Sequence, residues 1–289
     1  MSFRSRRHRL FVFLLGWLSL HVFAQTDVGA ETLNDRQPDL QVPAVTTGEP
    51  SPGRRVKNVL ETYRGSEVHH LVYLPTDWSD SRRFPVIVEY AGNQYRSSRG
   101  TVEGSSLGYG ISGGKGVIWL CLPFVDREKG CNALTWWGDV EATVDYCQAA
   151  VDEVCHRYRG DPNRVFIAGF SRGAIACHYI GLHDDDIASL WRGFICHSHY
   201  DGVRQWAYEG SDREAAGVRL ERLGSRPQFI SHERSVEETR AYLRTASPNG
   251  SFTFLALPFS EHTDTWVLRE SLARDTLRTW FWDVCRADQ

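Results

Sequence analysis

Residues 164–170 read RVFIAGF, a short and almost continuously apolar run, and residues 173–182 read GAIACHYIGL, small and apolar residues suited to a packed helix. Only Ser171 and Arg172 separate them. A strand that is apolar at every position must be covered on both faces, which is the condition of a central strand in a parallel sheet. Parallel strands need crossover connections, and here the helix pattern starts without an intervening loop. The junction is Gly169-Phe170-Ser171-Arg172-Gly173. A turn this tight leaves no room for side chains at its two glycines. It pushes the central hydroxyl out at the carboxyl edge of the sheet.

The same alternation runs along the chain. Strand patterns cover residues 69–75, 84–92, 116–125, 164–170, 193–200, 227–233 and 251–259. The clearest helix precedes the junction: Val140, Val144, Cys147, Val151, Val154, Cys155 and Tyr158 recur at three- and four-residue spacing, between an Asp139 N-cap and Gly160. Further helices are expected over 212–223, 236–243 and 265–285. Strands alternating with helices predict the α/β class, a doubly wound, mostly parallel sheet with helices on both faces.

The N-terminus carries Arg4, Arg6, Arg7 and Arg9, then the apolar run LFVFLLGWLSLHVF over residues 10–23, and small residues before Gln25. Residues 1–24 therefore read as an export signal, and the protein is expected to be secreted or periplasmic. An uncleaved anchor is the alternative, although the run is shorter than the roughly 20 residues of a membrane span. The polar stretch 25–55 reads as a partly disordered linker, which leaves 56–289 as the folded domain. The chain has 33 Lys+Arg against 36 Asp+Glu, and four of the arginines lie in the signal. The remainder is acidic, which disfavours nucleic acids and anionic membranes as partners. The seven cysteines, at 121, 131, 147, 155, 177, 196 and 285, form no C-x-x-C pair. Their odd number leaves at least one thiol free even after export. No metal or cofactor is expected.

A serine at the start of a helix suits an N-cap. It also suits a nucleophile, provided a base and an acid follow in the order Ser, acid, His. His262, in LPFSEHTDTW after the last strand, stands where that base belongs. For the acid, Glu233 directly follows a strand end in ISHERSV, and Asp201 in HSHYDG is its rival. The oxyanion donors expected are the backbone N–H of Arg172 and one from the loop at Gly92 and Asn93. Trp136 and Trp137 fall on the carboxyl side of the sheet, where they could stack on a substrate ring or pack in the core. The run GYGISGGKG, residues 108–116, has the formal G-x-G-x-x-G spacing, but a strand follows it, so it reads as a flexible surface loop. His183-Asp-Asp-Asp186 reads as a solvated helix end.

With these residues placed, the chain resembles the α/β-hydrolase superfamily over about residues 60–285. Within it, the chain is similar to secreted esterases of the polyhydroxybutyrate-depolymerase-like and feruloyl/acetylxylan-esterase-like group. WWGDVEATVDYCQAAVDEVCHRYRGDPNRVFIAGFSRGAIA carries the likeness most specifically. The resemblance implies a serine hydrolase that cleaves a carboxylic ester through an acyl-enzyme, on a polysaccharide-linked or polyester substrate. That group commonly holds its acid in a G-x-x-D-x-x-V segment, and here Glu233 stands three residues before Val236. The segment departs from the pattern in having Glu for Asp and no preceding glycine. A peptidase of the same fold and a catalytically inactive binding protein remain the alternatives.

Overall fold

The computed structural model describes residues 32–33, 36–95 and 98–287. The export-signal reading of residues 1–24 lies outside them. Nine strands form one sheet: β1 (Val45–Thr46), β2 (Arg55–Asn58), β3 (His70–Tyr73), β4 (Phe84–Tyr90), β5 (Ile118–Leu122), β6 (Gly160–Phe170), β7 (Gly193–His197), β8 (Gln228–Glu233) and β9 (Phe252–Leu257). Their spatial order is β1-β2-β3-β5-β4-β6-β7-β8-β9. All neighbours pair in parallel except β2 with β3 and β3 with β5. With helices on both faces, this is the α/β-hydrolase fold.

The continuous apolar runs divide by strict alternation. Val86 and Val88 of β4, Ile118 and Leu120 of β5, and Val165 and Ile167 of β6 face one buried cluster. Ile87, Trp119, Phe166 and Ala168 face the other. The first is covered by α2 (Val140–Arg157) and α3 (Arg172–Tyr179), through Val144, Cys147, Val151, Ala174, Ile175 and Cys177. The second is covered by α1 (Leu107–Ser112) and α7 (Leu272–Arg286), through Leu107, Ile111, Leu277 and Phe281. Helix α2 starts as its pattern predicts, with the Asp139 carboxylate accepting from the Ala142 N–H at 2.9 Å. Asp184 caps the short α4 (Asp185–Ala188) in the same way, as expected of a helix end.

Three expectations are corrected. Part of the stretch read as linker belongs to the domain. β1 pairs with β2, the Asp39 N–H donates to the Leu268 carbonyl, and the Asp39 carboxylate takes a two-pronged pair from Arg274 at 2.8 and 2.9 Å. Its polar composition reflects an edge position held by main-chain bonds and ion pairs. The run read as a flexible loop contains the buried helix α1. Its glycines serve close packing: a Cβ on Gly108 would lie 2.2 Å from the Trp119 ring, and one on Gly110 2.2 Å from Val267. A helix this short and small shows no polar face to read. The last helical segment is also broken, into a 3₁₀ turn (Thr265–Leu268) and α7, whose cap is the Ser271 hydroxyl. All seven cysteines are free.

The junction glycines are set by close approach. A Cβ on Gly173 would fall 1.8 Å from the Tyr90 carbonyl oxygen, and one on Gly169 would fall 2.1 Å from the Gly173 carbonyl. Backbone lies on both sides of each collision and cannot rotate away. Gly217, inside α5 (Arg213–Glu221), the helix that precedes α6 (Glu237–Ala246) in the chain, has nothing within 4 Å of the same position. Gly173→Ala should therefore cost about 3 kcal/mol or more. Gly217→Ala should stabilise by about 0.5–1 kcal/mol. Chemical denaturation of the two variants checks both the signs and the contrast.

Candidate active site

Ser171 sits between β6 and α3 with φ 55° and ψ −116°, a backbone conformation rarely adopted by a residue with a side chain. Main-chain bonds hold it there: its N–H donates to the His197 carbonyl at 2.9 Å, and its carbonyl accepts from Ala174 and Ile175. The Ser171 hydroxyl makes no helix-cap bond. It is instead 3.0 Å from His262 Nε2. His262 Nδ1 is 3.2 Å from Glu233 Oε1. The structure thus brings Ser171, His262 and Glu233 into one hydrogen-bonded chain across the carboxyl ends of β6, β8 and β9.

Glu233 is the last residue of β8, and Arg234 follows with φ 61°. The carboxylate is buried, with a side chain 7% exposed. Burial pushes its pKa up, but the His262 bond, the nearby His197 ring and the Ser198 hydroxyl outweigh that and hold it down at about 2. His197 is itself driven down to about 4, mainly by complete burial. Its ring lies between the Ser231 hydroxyl and the Thr263 carbonyl, 3.0 Å from each. At neutral pH a charged carboxylate thus faces His262, and a neutral imidazole braces the loop that carries His262.

Asp201, the rival acid, has another role. It is buried and takes the Arg219 Nε–H at 2.8 Å. Burial raises its pKa to about 6 even against Arg219. It ties the segment after β7 to α5 and does not line the cavity at Ser171.

That cavity has a volume of about 870 Å³. Phe170, Trp136, Trp206 and Ile175 give it apolar walls, and Asn93, Ser171, Arg172, His199 and His262 supply its polar groups. The expected tryptophan pair divides. Trp136 lines the cavity, with its ring 5.6 Å from that of Trp206. Trp137 is 4% exposed and stacks on Tyr179 at 4.6 Å in the core. Adjacent side chains diverge here because Trp136 adopts φ 51°. Two wall residues, His199 and Trp206, escape sequence reasoning. They stack at 5.3 Å and 17°; His199 lies just past β7, within the stretch 193–200 read as strand, and Trp206 comes from the segment after it, which has no periodicity to read.

The backbone expected to supply oxyanion donors lies beside Ser171. Arg172 is the first residue of α3, so its N–H has no intrahelical acceptor. Gly92 lies against the serine, since a Cβ there would be 3.3 Å from Ser171 Cβ. The Asn93 side chain turns away to accept the Trp136 N–H at 2.8 Å.

No family model matches the chain, and no curated protein matches it. Solved structures do. The chain is similar to a fungal esterase from Rhizomucor miehei at TM-score 0.56 and 12% identity, covering 80% of this chain and 82% of that one. Esterase 2 of Thermogutta terrifontis, phosphorylated by paraoxon, aligns at 0.52 and 15%, over 80% and 93% of the two chains. The feruloyl esterase module from Clostridium thermocellum, complexed with sinapinate, aligns at 0.51 and 12%, over 80% and 92%. Against other matches the chain spans less: 62% of a thermostable esterase and 40% of an isopeptidase. At these identities the likeness establishes the fold.

Glu233→Gln keeps the shape of the chain but removes the charge facing His262. If Glu233 orients His262 as a triad acid would, the change should lower kcat by roughly 10⁴-fold. Asp201→Asn should lower stability and leave kcat near wild type. The pH dependence has a definite sign. A carboxyl held at about 2, against an ordinary 4.5, contributes stability above pH 4.5 that disappears as pH falls toward 2. Glu233→Gln should flatten that acid limb in denaturation curves taken across the window.

Proposed function

We propose that the protein is a serine hydrolase acting on carboxylic esters. The observation that carries this reading is the unbroken chain from the Ser171 hydroxyl through His262 to the buried, charged Glu233. His262 Nε2 takes the Ser171 proton as the oxygen attacks the ester carbonyl. The oxyanion forms between the Arg172 N–H and the Gly92–Asn93 loop, where one such donor contributes roughly 2.7–4 kcal/mol to the transition state. His262 then protonates the leaving alcohol, the acyl group stays on Ser171, and a water deprotonated by His262 releases it. Glu233 fixes the tautomer that leaves Nε2 free to accept and stabilises the imidazolium that forms.

The aromatic walls of the cavity favour an apolar or ring-bearing ester. The fold neighbours described as esterases, one carrying a paraoxon-derived phosphoryl group and one complexed with sinapinate, agree with ester chemistry. With the export reading of residues 1–24, we place the enzyme outside the cytoplasm, on polysaccharide-linked or polyester substrates of the kind the depolymerase-like and feruloyl-esterase-like group uses. A peptidase would use the same triad, so substrates must separate the two. The protein should hydrolyse p-nitrophenyl esters, with aromatic acyl esters among the better ones, and leave aminoacyl-p-nitroanilides nearly untouched. Ser171→Ala should reduce ester turnover to background. Preference for the anilides would establish the peptidase reading, and no turnover of either class would favour the inactive one.

A further inference from the structure

Arg172 follows the serine, and its side chain is 1% exposed. Among the described residues no carboxylate pairs with it, and burial works against its charge. A buried cation without an anion is costly unless every donor is met. A guanidinium has five N–H donors. Here they meet carbonyls at Ala91 (3.4 Å from Nε), Ala133 and Trp136 (3.3 and 2.5 Å from one terminal nitrogen), and Gly92 and Gly100 (3.0 and 3.3 Å from the other). The Phe124 ring covers the group, with its centroid 4.0 Å from the guanidinium carbon.

Those carbonyls come from three segments around the cavity: the loop after β4, Gly100 just past the short Ser98–Arg99 strand, and the loop before α2. Two of them have a directional consequence. A trans peptide is planar, so its C=O and the next N–H point in opposite directions. Binding the Ala91 and Gly92 oxygens therefore turns the Gly92 and Asn93 N–H groups away from the guanidinium, on the strand end that lies against Ser171. We infer that the Arg172 side chain is a positioning residue for catalysis: it fixes the peptide planes that supply the second oxyanion donor, while its own main-chain N–H supplies the first.

This rests on the serine-hydrolase reading, and the tests keep the two apart. Arg172→Lys retains a positive charge but offers three donors without the planar fork. It should fold, lower kcat for a p-nitrophenyl ester at least tenfold, and leave KM within about threefold. A trifluoromethyl-ketone analogue of the transition state should lose affinity in step with kcat. A lysine variant with wild-type kcat, or one whose loss lies entirely in KM, would overturn the inference while leaving wild-type esterase activity as evidence for the reaction. If the variant does not fold, the wild type still decides. In crystals with a boronic acid on Ser171, one boronate oxygen should accept from the Gly92 or Asn93 N–H while the preceding carbonyl stays on Arg172. An oxygen held only by side chains, or carbonyls turned off the guanidinium, would refute it. A wild type that hydrolyses no ester would instead defeat the underlying reading.

Discussion

The site depends on how closely α3 approaches the central sheet. Gly173 brings the first turn of the helix within van der Waals distance of the Tyr90 carbonyl, at the carboxyl end of β4. Because β4 and β6 are adjacent and parallel, that one contact sets Ser171 and the loop at Gly92 in a fixed relation. Ser171 takes a strained conformation there, and bonds from its N–H and carbonyl hold it. The strain is local and the restraint is spread over β6, β7 and α3, an arrangement in which an unfavourable turn can persist.

Electrostatics then follow from burial. Glu233 stays charged because it receives hydrogen bonds, although its surroundings alone would protonate it. His197 stays neutral because complete desolvation outweighs the opposing pull of Glu233 and the Thr263 carbonyl. Two groups at the ends of neighbouring strands are thus driven one to its charged form and one to its neutral form, so that a carboxylate can face His262 and a neutral ring can brace its loop. Arg172 shows the third outcome, a charge retained inside the protein by main-chain oxygens.

Much of this was legible in the sequence, and the remainder has physical reasons for being hidden. The continuous apolar runs marked strands covered on both faces, and Gly169 and Gly173 marked the tight junction. His262 was legible from chain order. Glu233 and Asp201 were not separable, because each follows a strand end; only the side chain meeting each carboxylate, His262 or Arg219, distinguishes them. Helix α1 was read as a loop because its six residues carry no amphipathic face, and the two roles open to Trp136 and Trp137 could not be assigned because a positive φ at Trp136 splits the pair. The Arg172 side chain carried no signal at all, since its partners are backbone carbonyls, which every sequence has.

In the proposed mechanism the folded structure, through His262, makes Ser171 the nucleophile. The most direct measurement is peptide mass spectrometry of the native protein after exposure to a fluorophosphonate. A single adduct on Ser171, absent when the protein is denatured before exposure, is the result predicted. No adduct on the folded protein, or one on a different serine such as Ser198, would contradict the account.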